Sequence, residues 1–99
     1  MHKAEIRTYV PGWSAGYCYF ALMPGGRTVK IGSSLNPEVR VRVQGLQLLG
    51  YIKGGAKLES ELHLRFREHR IPQLGEYYRY EPIKDEIAEL LTRAVADRP

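Results

Sequence analysis

The sequence predicts an α+β domain, and three features predict it. Gly16–Met23 and Thr28–Gly32 are rich in aromatic and apolar residues and flank a Pro24-Gly25-Gly26-Arg27 turn signal, the pattern of a β-hairpin. Asn36-Pro37-Glu38 is a helix start: Asn caps, Pro suits the first helical position, and Glu suits the positive end of the helix dipole. Leu58, Leu62 and Phe66 recur at four-residue spacing, the buried stripe of a second helix.

Along the chain, residues 1–15 form an N-terminal arm and residues 16–96 a single domain. Within the arm, His2 to Val10 has room for a short strand, Pro11-Gly12 breaks it, and Trp13 is expected under the domain edge. No chemistry is assigned to the arm. In the hairpin, a loop of residues 24–27 sets Met23 opposite Thr28, Leu22 opposite Val29, Phe20 opposite Ile31 and Tyr19 opposite Gly32. Side chains alternate across a strand, so Cys18, Phe20, Leu22, Val29 and Ile31 share the core face. Tyr17, Tyr19, Lys30 and Gly32 share the other, with Tyr19 and Lys30 as diagonal neighbours.

Val39-Arg40-Val41-Arg42-Val43 alternates as a strand would, but the cap before it favours a helix over about 37–45. The expected inward residues are Val39, Val43 and Leu46, with Arg40 and Gln44 one turn apart. Leu48 to Lys53 reads as a third strand, ended by Gly54-Gly55. Ala56 to Arg70 reads as the helix of the Leu58 stripe, with Glu59, His63 and Arg67 in a second row. Pro72 ends it. Gly75 to Tyr80 is a short extended segment, and Pro82 opens a last helix with Ile83, Ile87, Leu90, Leu91 and Ala94 on its apolar face. There is no internal repeat and no low-complexity tract.

Composition narrows the function classes. The net charge of +4 leans toward nucleic acid or another anionic surface. Cys18 is the only cysteine, which excludes an internal disulfide and a cysteine-based zinc site; it reads as a small buried hydrophobe. No segment is long enough to span a bilayer and no signal-peptide apolar region follows the start, so a cytoplasmic setting without membrane partners is expected. A tyrosine, a lysine and an arginine gathered on one side of a small sheet suit an anionic phosphate better than a protein core.

In this order, the residues resemble the GIY-YIG nuclease superfamily, and most of all its small phage-associated branch, whose second motif begins with lysine. Tyr17-Cys18-Tyr19 stands at the first motif and Lys30-Ile31-Gly32 at the second. Arg40, eight residues after Gly32, stands at the helix arginine, and Glu59 in Leu58-Glu59-Ser60-Glu61-Leu62-His63 at the metal-binding glutamate. Gly75-Glu76-Tyr77-Tyr78 is similar to the closing Gly-Glu-aromatic-aromatic element. The match runs from about Gly16 to Tyr80. The resemblance implies a three-stranded antiparallel sheet flanked by helices, a site on one sheet face, and DNA phosphodiester hydrolysis with one divalent ion, Mg2+ or Mn2+.

Under that resemblance, Tyr19 is the general base or the group that orients the attacking water. A free phenol has a pKa of about 10, so it needs a neighbouring cation, and Lys30 is placed to be one. Lys30 could instead accept the proton or clamp phosphate itself. Arg40 offers a planar fork that stays charged and binds two phosphate oxygens, whereas Arg42 reads as a solvated control. Glu59 would hold the metal, the ordinary one-carboxylate arrangement for magnesium. Tyr17, Gly32 and His63 are expected in support. Gln44, Arg67, Arg70, Tyr77 and Tyr78 are candidate contacts to DNA, the tyrosines by stacking on bases. Each has a plainer reading as a solvated helix face or packing against the last helix. Lys30 stands where most of the superfamily has tyrosine, and Gln44 where relatives often carry a basic residue. Two other functions are open to the same chain: a nucleic-acid-binding module of this fold that does not cleave, and a protein-interaction or inhibitor domain anchored by its tyrosines.

Overall fold

The structure is a computed structural model and describes residues 14–96. The strand expected in His2 to Val10 and the packing of Trp13 lie outside the described residues. The elements run β1 (Tyr17–Leu22), β2 (Thr28–Ser34), α1 (Pro37–Val43), β3 (Gln47–Lys53), α2 (Gly55–Arg65), two 3-10 turns (Arg67–His69 and Pro72–Leu74), β4 (Tyr77–Arg79) and α3 (Lys84–Ala96).

The hairpin has the expected register. Tyr19 pairs with Gly32, Phe20 with Ile31 and Leu22 with Val29. Met23 N–H donates to Thr28 O at 2.9 Å across the loop, where Gly25 and Gly26 take the positive φ angles that the tight turn needs. The sheet has four strands in the order β3-β1-β2-β4, all antiparallel, not the three expected. The additional strand is the extended segment near Tyr77. It pairs Thr28, Val29 and Lys30 with Arg79, Tyr78 and Tyr77, and so covers backbone groups that would otherwise form an open sheet edge.

Each face of the sheet carries its own apolar cluster. Cys18, Phe20, Val29 and Ile31 pack with Leu62, Phe66, Tyr78, Ile83 and Ile87 beneath α2 and α3. On the opposite face Tyr19 and Ala21 pack with Val41 of α1, flanked by Leu46, Leu48 and Tyr51. Tyr78 stands opposite Val29, so alternation sends its ring into the first cluster, where it is 0% exposed.

Helix α1 starts as expected, with Asn36 Oδ1 accepting from Val39 N–H and Pro37 in the first turn. Its inward face is not the expected one. Pro37 and Val41 are buried, while Val39 and Val43 are 42% and 78% exposed. The two choices lie on opposite sides of the helix, and the exit decides between them. Gly45, at φ +72°, ends α1; its N–H bonds Arg42 O and Leu46 N–H bonds Val41 O, both at 3.1 Å. That sharp turn carries the chain into β3 and rolls Val41 and Leu46 onto Tyr19 and Ala21.

Helix α2 buries the expected stripe, with Leu62 and Phe66 at 4% and 2% exposure, but it closes at Arg65 instead of running to Arg70. Arg67 therefore leaves the row of Glu59 and His63, and its guanidinium donates to Leu64 O at 3.0 Å. Among the described residues no helix is long and apolar enough to cross a membrane.

The inverted face of α1 has a direct stability consequence. Val41→Ala removes buried methyl groups and should cost about 2 kcal/mol, whereas Val43→Ala should stay within about 0.5 kcal/mol. Urea unfolding of the two variants checks this ordering.

Candidate active site

Strand β2 continues past its pairing with β4. Lys30 is the last residue of that pairing, and Ile31, Gly32, Ser33 and Ser34 follow it along an edge that β4 does not reach. Tyr19, Lys30, Glu59 and His63 collect there, from both sides of the sheet.

On the α1 side, Gly32 lets the Tyr19 ring lie directly across the β2 backbone. A β-carbon at position 32 would sit 2.7 Å from both Tyr19 Cζ and Oη. Tyr19 is 1% exposed, and its hydroxyl donates to Gln44 Oε1 at 3.4 Å, at the end of α1. Lys30 Nζ stands 5.9 Å from the Tyr19 ring centroid, so the expected diagonal neighbours do meet. Tyr17 is farther along the same face, edge-to-face with Tyr51 at 5.0 Å. Arg40 is exposed and makes no ion pair with a described residue. It lines a groove of about 400 Å³ with Ser34, Leu35, Asn36, Val39 and Val43, which begins where β2 ends.

On the α2 side, Glu59 and His63 stand one turn apart, with His63 Nε2 3.4 Å from Glu59 Oε2. His63 Nε2–H donates to Ile31 O at 3.0 Å. Ile31 N–H already bonds Glu76 O at 3.0 Å, so its carbonyl faces the same edge, and the imidazole satisfies it where β4 is absent. The His63 ring also rests edge-to-face on buried Tyr78. His63 thus fastens α2 to β2 and sets the depth of Glu59.

Glu76 joins the two sides. Its Oε1 is 3.8 Å from Lys30 Nζ, and its carboxyl group meets that of Glu59. Burial is the main reason the Glu59 carboxyl is pushed up to about 7; the hydrogen-bonded Glu76 carboxyl adds to the rise, and Ser33 and Lys30 oppose it. The same two carboxylates, after burial itself, push the Cys18 thiol up to about 12, so Cys18 is an inert part of the core. Among the described residues no group of three or more His, Cys, Asp or Glu side chains is placed to hold a metal ion.

Several sequence expectations change here. The resemblance implies a site on one sheet face, yet Tyr19 and Lys30 lie on one face and Glu59 and Ser33 on the other, meeting around the free edge. Tyr78 has no exposed surface for stacking on a base. Arg70 Nε donates to Gly75 O at 2.9 Å and so braces the turn ahead of β4. Tyr77 faces Lys30, its ring centroid 5.9 Å from Nζ. Glu76 and Ser33 are site neighbours that sequence reasoning missed. The signal for Glu76 was its place between Gly75 and Tyr77 in the closing element, and for Ser33 its alternation with Ile31. No family model, curated protein or solved structure matches this chain.

Two outcomes follow. Gly32→Ala should force the Tyr19 ring off its seat and cost about 1–3 kcal/mol, read by urea unfolding together with the Tyr19 ring resonances. Because the folded-state pKa of Glu59 is raised, the folded chain holds its proton more tightly than the unfolded one. Stability from this group is therefore present at low pH and lost as pH rises toward 7 and beyond. Glu59→Gln should raise Tm at pH 8 by roughly 5 °C and leave it nearly unchanged at pH 5. Equal Tm shifts at both pH values would contradict the buried-carboxyl assignment.

Proposed function

We propose that this chain is a divalent-metal-dependent DNA endonuclease of GIY-YIG type that hydrolyses phosphodiester bonds in a cytoplasmic setting. The observation that carries the reading is the meeting of Tyr19, Lys30 and Glu59, three motif residues far apart in sequence, around the free end of β2. The donor chemistry at Glu59 fits one Mg2+ or Mn2+ ion: a half-buried carboxylate, costly to ionise alone, offers hard oxygen ligands that substrate phosphate and water complete. Bound there, the ion would polarise the scissile phosphate.

The chain's own groups supply the rest. The exposed Arg40 guanidinium, which lines the groove with Ser34, takes the non-bridging oxygens on which charge accumulates. Lys30 brings a second positive charge, 5.9 Å from the centre of the Tyr19 ring. Tyr19 orients or deprotonates the attacking water, which requires the exposed Gln44 amide to swing off its hydroxyl. His63 keeps α2 against β2 so that Glu59 does not drift. Arg67 and Arg70 are exposed and each gives one guanidinium donor to a backbone carbonyl, which leaves other donors for phosphate, whereas Tyr78, buried in the core, carries no DNA contact.

Nicking of supercoiled plasmid tests the proposal. Purified protein should nick with Mg2+ and stop with chelator, and Arg40→Ala should lose about 100-fold or more. The Mg2+ concentration needed for nicking should rise as pH falls below about 7, because the ion must displace the Glu59 proton. No nicking by clean protein, or full activity in Glu59→Ala, would reject the reading. Salt-sensitive DNA binding without nicking would identify a binding module instead.

A further inference from the structure

We propose that Glu76 and Tyr77 are positioning residues that hold the Lys30 ammonium at the free end of β2; the catalytic consequence rests on the nuclease reading above. Lys30 has a four-carbon stem with many rotamers, so its charge is useful at one spot only if something confines it. Its side chain is 11% exposed. The ammonium lies between two tyrosine rings, each centroid 5.9 Å away, and the Glu76 carboxylate at 3.8 Å. Two ring faces and a carboxylate together attract a cation from three directions.

Backbone bonds deliver two of the three walls. Pairing of β4 with β2 sets Tyr77 directly opposite Lys30. The Glu76 carbonyl accepts from Ile31 N–H at 3.0 Å, fixing that residue beside the strand. The turn before it, with Gly75 at φ +67°, is braced by Arg70. The third wall, Tyr19, is held by Gly32 and the α1 cluster. Tyr77 is thereby assigned to the ammonium and not to a DNA base. Glu76 also touches Glu59, so the competing role to separate is direct participation at the metal-binding carboxylate.

The test uses the full chain and two independent readouts. In the first, the Lys30 Cε–Hε correlation is followed by NMR without substrate. Ring currents should displace it in the native protein and in Tyr77→Phe, and it should move toward free-lysine values in Tyr77→Leu and Glu76→Gln while the backbone amide spectrum stays native. An unmoved Lys30 signal overturns the proposal, whatever the protein does to DNA. In the second, Glu76→Gln should lower kcat for plasmid nicking by about 10-fold or more with KM within about twofold. Glu76→Asp should restore part of the loss, and Glu76→Gln should add less than about twofold in a Lys30→Ala background. Losses that multiply across the two sites, or a raised Mn2+ requirement in Glu76→Gln alone, would place Glu76 at the metal and overturn the positioning role. A displaced Lys30 signal in a protein that never nicks would retain the cage and reject the nuclease reading.

Discussion

Strand β2 runs for seven residues and its outer neighbour β4 for three, so half of one sheet edge is left without a strand partner. The organisation of the candidate site depends on that mismatch. An unpaired strand edge must satisfy its backbone groups or face water. Here the Ile31 carbonyl is taken by His63 and its N–H by the residue just before β4. The price of stopping β4 early is a gap, and the gap lets side chains from opposite sheet faces approach one another around β2. A longer β4 would have sealed the edge and kept Glu59 and Lys30 apart.

The electrostatics of that gap are unbalanced in an informative way. Two carboxyl groups meet in a partly dry place with one ammonium beside them. Burial is the larger cost to Glu59 and its neighbouring carboxyl the next, which together raise its pKa to about 7. Positive charge brought to the edge would relieve both costs, while an uncharged ligand would relieve neither. The tyrosines contribute differently. Tyr19 is a buried wall with one polar tip, Tyr77 a wall on the opposite side of the ammonium, and Tyr78 is core. Three similar side chains therefore have three functions, set by strand pairing and not by residue type.

Helix α1 shows how a short amphipathic segment is settled from outside. With seven residues it has two candidate apolar rows, Pro37 with Val41 and Val39 with Val43. Nothing intrinsic to two turns of helix separates them. The Schellman-type exit at Gly45 and the demand of Tyr19 and Ala21 for cover turn Val41 inward and leave Val39, Val43 and Leu35 exposed. The same rotation carries Gln44 to the Tyr19 hydroxyl and Arg40 to the groove beside Ser34.

Local rules made a large part of this molecule legible from its residues. The hairpin register follows from turn chemistry and two-residue alternation, the start of α1 from Asn36 and Pro37, and the buried face of α2 from Leu58, Leu62 and Phe66. The meeting of Tyr19 with Lys30, and the pairing of Glu59 with His63, came from the same short-range periodicities. The fourth strand, the burial of Tyr78, the rotation of α1 and the place of Glu76 between Lys30 and Glu59 were decided by tertiary structure alone. Each depends on which sheet edge stays open and which face needs cover, and those are properties of segments brought together over distances that no local pattern encodes.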